Sequence, residues 1–381
     1  MIAVAWLATL CPWPCPGGFV VFFVALLGYM RESFSELRIV VDIVPSMTMA
    51  PPQNPRADSE RPVLASRYMV SPGYDLVFFI LSPLMSLGLG LMLSQTPLNG
   101  DDVYDGDNWV EIGLSIFIMS HLFIVIFRSH GNGAIFRLHP FRFTAVPLLV
   151  LVVMGFSTWA LVIGSVIATF WDVYHSSLQT FGLGRIYDKL AGNDPTVGRR
   201  LDITLNFYIY AGPIAAGATL MNHVDDFSEF EKVNSFFFTE IPAYVEFNSG
   251  ILSWLVIGTG VPFLVYYILA YWRLARAGHR ISYQKVLLLF LTGVCSIYAW
   301  GFNPFGMAFF IMNVFHAWQY FALIWWSERK TLTRLVGREG RARAGAAALT
   351  LLLGTGLAYG LVAGLYSGDN SRIVSAFLVV S

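Results

Sequence analysis

Three histidines stand where histidine is costly. His121, His175 and His316 each fall within a long apolar run, and an ionisable side chain at the middle of a membrane helix costs about 2.5–3.5 kcal/mol on insertion scales. They precede the first basic residue after each run, Arg128, Arg185 and Arg329, by seven, ten and thirteen positions. At a helical rise of about 1.5 Å per residue, all three sit roughly 10 to 20 Å inside the same membrane edge. A lone imidazole at that depth commonly serves as a hydrogen-bond donor between helices. Three at one depth on three helices are expected to meet in the interior, and neutral imidazoles that meet can ligate a transition metal.

The neighbours of these histidines are polar at helical spacing. Asp172, His175 and Gln179 share one face of a helix, and Asn313, His316 and Gln319 form a comparable stripe on another. A carboxylate or amide beside an imidazole fixes its tautomer and aims its ring, so Asp172, Gln179 and Gln319 are the candidate catalytic or orienting groups. The two stretches also resemble each other over residues 174–189 and 315–330: an aromatic-His pair, then Gln, Phe and Leu, then an aromatic before Lys, with a one-residue slip. That pattern fits a diverged internal repeat as well as the aromatic belts of membrane helix ends. After the first of the three helices, His130 and His139 stand among Arg128, Arg137 and Arg142. They are further candidate ligands if the chain folds back at Gly131 and Gly133, and phosphate-facing loop residues otherwise. His223 and His279 read as surface residues.

Histidines with a carboxylate suit iron, zinc or copper, and a redox metal held by imidazoles would let a membrane enzyme attack a hydrophobic molecule away from water. In outline this resembles the histidine-box membrane non-haem iron enzymes, the lipid hydroxylases and desaturases, which also gather ligands at the cytoplasmic face. The resemblance implies an iron-dependent oxidoreductase with a lipid or other hydrophobic small-molecule substrate. This chain carries none of the paired HxxxH or HxxHH spacings of those families, and five histidines suit a mononuclear centre better than a di-iron one. Non-covalent haem b between two histidines is a second redox option, since no CxxCH attachment motif is present. The competing class is a proton-coupled secondary transporter, with Asp172 and the histidines as relay and Gly212-Pro213 and Gly260-Val261-Pro262 as its broken helices. No Walker loop, kinase set, GxSxG elbow or HExxH motif occurs.

The elements that must position these residues are membrane helices. Of 381 residues 56% are hydrophobic and only 13% charged, against about a quarter charged in soluble domains. Lys plus Arg equals Asp plus Glu at 24 each, which leaves no overall charge to attract a nucleic acid; membrane lipids are the expected surroundings. Apolar runs predict helices at 75–95, 109–127, 143–157, 159–183, 201–221, 249–271, 285–302, 305–327 and 345–366. The chain is therefore expected to be an all-α polytopic bundle of about nine spans, with a split near Ser157 and a tight turn at 303–306. A tenth span is the expectation if the apolar tail at 371–381 belongs to a longer helix; otherwise the tail lies along the membrane surface.

Charge alternates between the runs. Basic segments hold Arg128, Arg137 and Arg142; Arg185, Lys189, Arg199 and Arg200; Arg273, Arg276, Arg280 and Lys285; and Arg329 through Arg343. Acidic segments after the first and fifth runs hold Asp101, Asp102, Asp105 and Asp107, then Asp225, Asp226, Glu229, Glu231, Glu240 and Glu246. By the positive-inside rule the basic segments are cytoplasmic, in a membrane of the bacterial inner (plasma) type. Residues 1–68 read as a leader: a weak apolar stretch at 17–30, then a Pro-rich polar stretch at 47–67 that makes Met47 or Met49 plausible starts. Residues 69–381 form the membrane domain. Cys11 and Cys15, with two prolines between them, lack the spacing and the helix of a redox pair, and Cys295 reads as packing.

Overall fold

A computed structural model describes residues 67–94, 109–217, 249–302, 308–337 and 343–366. The leader with Cys11 and Cys15, both acidic segments with His223, the turn at 303–306 and the tail at 371–381 lie outside the described residues. Pro72–Asp75 (α1) leads through a π-turn, Leu76–Ile80, into Ser82–Ser94 (α2). Then come Trp109–Ser129 (α3), the short Gly133–Leu138 (α4) and Pro140–Phe143 (α5), Ala145–Phe156 (α6), Thr158–Leu190 (α7) and Arg199–Gly217 (α8). Ser249–Arg276 (α9), Tyr283–Gly301 (α10), Ala308–Leu335 (α11) and Ala344–Tyr366 (α12) complete the order, with no strand among the described residues.

Helix occupies each of the nine intervals expected from the apolar runs. Four helices, α3, α9, α10 and α12, are by themselves long and apolar enough to cross a membrane, and five segments qualify if the bent α1–α2 pair is one span. The rest fall short for two reasons. Helix α6 has 12 residues, about 18 Å against a hydrocarbon core of about 30 Å. Helices α7 and α11 have length to spare, at 33 and 28 residues, but their polar stripes lower their mean hydropathy, as Asp202 and Asn206 do for α8.

Sequence signals account for the main boundaries. Ser157 separates α6 from α7 at extended dihedrals, φ −127° and ψ 115°, and its hydroxyl accepts from the amide of Ala160 at 3.2 Å to cap α7. Pro213 and Pro262 lie inside continuous helices rather than at breaks. The discontinuity sits elsewhere: α1 with its π-turn and α2 meet at 52°. Pro83 has no amide hydrogen for the carbonyl of Phe79, four residues before it. Gln319 of α11 supplies one instead, its Nε2 donating to Phe79 O at 2.8 Å, and the Ser82 hydroxyl adds a second donor at 3.1 Å.

Helix α11 is the hub, packing on α2, α3, α10 and α12 and touching α7. Its N-terminal half, through Ile311 and Phe315, builds one apolar core with Leu87, Tyr210, Ile214, Cys295 and Trp300; Cys295 is buried packing there. Its basic half builds another with Ile124 and Phe127 of α3 and Ala348 and Leu352 of α12. The α3–α12 contact is close because α12 carries Gly356 and Gly360, which lie over Ser120 and over the Ile116 carbonyl. Helix α9 stands at the periphery, with none of its most apolar stretch buried. An outer surface bearing Trp254 at 76% and Ile268 at 58% exposure is stable in lipid and not in water.

Candidate functional site

The three histidines of the apolar runs come together. His121 from α3 and His175 from α7 both pack on His316 of α11, with ring centroids 5.1 Å and 4.9 Å away and planes near perpendicular at 87° and 80°. Tyr320, one turn beyond His316, lies 6.2–6.3 Å from all three ring centroids. It escaped the sequence reading, although its i,i+4 spacing from His316 was a signal for it. His316 and His121 are buried, at 1% and 4% exposure, and His175 is half-buried.

Their nitrogens are unevenly satisfied. The Nδ1 of His121 is bonded to the Ile118 carbonyl of its own helix, which makes it the donor and leaves Nε2 as the lone-pair nitrogen. That Nε2, and both ring nitrogens of His316, are buried without a hydrogen-bond partner. Each such orphan costs about 1–3 kcal/mol. As the side chains stand, no group of three or more His, Cys, Asp or Glu among the described residues is disposed to hold a metal ion.

The polar residues flanking the cluster pair with each other across α7 and α11. Asp172 is hydrogen-bonded to Asn313, His175 meets His316, and Gln179 Nε2 donates to Gln319 Oε1 at 3.0 Å and to the His316 carbonyl at 3.2 Å. The rungs advance together along both helices, so α7 and α11 run parallel here, with the two look-alike stretches face to face. Gln319 is fully engaged, since its Nε2 also reaches Phe79 O and Ser82 Oγ. Thus Gln179 and Gln319 hold three helices around the rings, and Asp172 meets an amide on the facing helix.

His130 and His139 stand apart from this cluster. His130 lies nine residues past His121, about 13 Å along the axis. Its Nδ1 pairs with the Ser129 hydroxyl at 2.9 Å and its Nε2 with the Phe143 carbonyl at 3.1 Å. His139 links α4 to α5, with its ring 6.5 Å from that of Phe143. The chain does fold back here, but onto Glu328: the Asn132 amide donates to both Glu328 oxygens at 3.2 and 3.4 Å, and Arg128 approaches at 3.7 Å.

A second polar cluster was hidden from the sequence, which counted Arg185 and Lys285 as loop charges. Helix α7 runs through Arg185 to Leu190, and Lys285 sits in the first turn of α10. Arg185 is paired with Asp188 at 2.8 Å and with Asp202 of α8, and donates to the carbonyls of Pro195 and Val197 at 2.7 and 2.8 Å. Lys285 Nζ bonds Asp188, Asp202 and the Tyr271 hydroxyl at 2.7, 2.7 and 2.6 Å, and Tyr267 and Tyr271 both donate to Asp202 at 2.9 and 2.7 Å. Two cations and two anions, all buried, tie α7, α8, α9 and α10 together at the basic end. Beside them, in the α9–α10 connection, burial pulls the His279 imidazole below its ordinary range. The i,i+3 Arg185–Asp188 spacing and an aspartate inside the apolar run of α8 were the available signals.

The chain matches no family profile, no curated protein and no solved structure.

Proposed function

We propose that the protein spans the membrane about nine times and binds a transition metal, iron being the one implied by the resemblance to the histidine-box enzymes, through His121, His175 and His316, for redox chemistry on a lipid or other hydrophobic substrate. The observation that carries the reading is the spacing of three rings with three unsatisfied nitrogens. Two imidazoles on one metal, with bonds of about 2.0–2.1 Å and roughly 1.1 Å more to each ring centre, hold those centres about 4.5–5.2 Å apart at angles of about 90–110°. The observed 4.9 and 5.1 Å match. His316 thus stands at ligand spacing from both other rings, and binding asks the rings to turn out of edge-to-face packing and His121 and His175 to close on a common ion. The His121 Nδ1 contact with a backbone carbonyl is the arrangement that orients a ligating imidazole and leaves Nε2 for the metal. A bis-imidazole haem needs its axial rings more than about 6 Å apart with a macrocycle between them, so the close packing favours a small ion.

The cytoplasmic placement of the basic segments is supported by the alternation of charge. When bound, the metal supplies the redox chemistry; the protein's own residues hold it, orient it and keep bulk water out. The test is metal analysis of the purified, detergent-solubilised chain after reloading with Fe(II), Zn(II) or Cu(II). We expect close to one ion per chain in the wild type and at least a tenfold loss in His316→Ala at unchanged thermal stability. A wild type that retains no metal under any loading, while driving proton-coupled uptake in vesicles, would overturn this reading in favour of a transporter.

A further inference from the structure

Away from the histidines, an open crevice of about 650 Å³ lies where the start of α8 meets the last turns of α9. One wall is cationic: Arg199 and Arg200 from α8 and Arg273 from α9 line it. The other is apolar, made by Leu201, Tyr266, Ala270, Leu274 and Ala277. No acidic side chain lines it. The nearby carboxylates are committed elsewhere. Asp202 faces Arg185, Lys285, Tyr267 and Tyr271, and Asp194 accepts from the amide and hydroxyl of Thr196 at 2.8 and 2.7 Å. Arg199 lies over the ring of Phe181 at 5.5 Å, while Arg200 and Arg273 are exposed with no carboxylate partner among the described residues.

We propose that this crevice binds the phosphate of an anionic ligand carrying an apolar tail, an anionic phospholipid of the surrounding leaflet being the source that fits both walls. The exposed guanidinium groups of Arg200 and Arg273 offer planar forks suited to phosphate oxygens, with the charge of Arg199 beside them, and the amides of the first turn of α8 add positive potential. The apolar wall continues onto the outward face of α9, where Tyr266, Ile268 and Leu269 are exposed. A headgroup held by the arginines would lay its chains there. Trp272, half-exposed with Arg276 3.6 Å over its ring, marks the interfacial level at which headgroups lie. The site is independent of any metal at the histidines.

Native mass spectrometry of the full chain released from detergent tests this, with dioctanoylphosphatidylglycerol, dioctanoylphosphatidylcholine and inorganic phosphate as probes. The expected result is one phosphatidylglycerol retained at concentrations that leave phosphatidylcholine unbound, weakened about tenfold or more in the Arg200→Gln/Arg273→Gln double variant. Both side chains are exposed, so the variant keeps its fold, and an unchanged melting temperature checks that. Arg276→Gln, outside the crevice, should leave binding intact. Competition by millimolar phosphate would assign the recognition to the phosphate alone, and its failure to compete would assign part of it to the apolar wall; both outcomes support the site. Equal retention by wild type and double variant, or equal weakening by Arg276→Gln, would overturn it.

Discussion

Asp202 shows what a single side chain does in this protein. It is buried at 1% exposure and accepts from two tyrosines and two cations supplied by three helices. Removing its charge leaves Arg185 and Lys285 facing Asp188 alone. Breaking a buried ion network in this way costs about 3–5 kcal/mol, so Asp202→Asn should lower stability by that order in a detergent unfolding titration. Stability equal to wild type would show that the surrounding hydroxyls carry the junction without the charge. The histidines were legible in the sequence because they interrupt apolar runs. The Arg185 network was not, because a cation near a helix end looks the same whether it faces water or a carboxylate from another helix. Asp172, Gln179 and Gln319 were legible as polar residues at helical spacing, but their partners, Asn313, His316 and Phe79, lie up to 240 positions away. No local pattern contains that information.

Among the elements, α3 and α12 show how closely the cluster depends on helix spacing. A Cβ at Gly360 would collide with the backbone carbonyl of Ile116 and the Ser120 hydroxyl. Backbone cannot yield as a flexible side chain does, so α12 and α3 must separate, and α3 carries His121. Gly360→Val should therefore cost about 1–3 kcal/mol and lower metal content together with stability. Gly354→Val, where a Cβ meets nothing within 4 Å, should change neither; matching losses in the two variants would point to β-branching rather than contact. Element positions were well anticipated, because runs of apolar residues bounded by Ser, Pro and charge are strong local signals. Helix breaks were anticipated less well. Pro213 and Pro262 are carried inside helices, whereas Pro83 coincides with a bend whose freed carbonyl is satisfied from α11. Whether a proline bends a helix depends on what neighbouring helices offer the backbone it exposes.

For the whole molecule, the outward surface and the charge pattern speak to different questions. Exposed Trp, Leu, Ile and Phe around α6, α9 and α10 make the helical bundle a membrane protein, and the alternating charge sets the orientation that tags are expected to report. Protease-accessible tags inserted at Gly192 and Gly337 should be cut only from the cytoplasmic side of sealed vesicles, and a tag at Asp225 only from the other. Cutting at Gly337 and Asp225 from one side would remove the proposed count of spans between them. The paired rungs of α7 and α11 carry a consequence of parity. Two helices that point the same way across a bilayer can be joined only by a chain that crosses it an odd number of times between them. Helices α8, α9 and α10 supply three if each crosses, as proposed above. An added or lost crossing in that interval would turn α11 end over end and carry His316 away from His121 and His175. The pairing of α7 with α11 thus requires an odd number of crossings between them, as the proposed nine-span arrangement has.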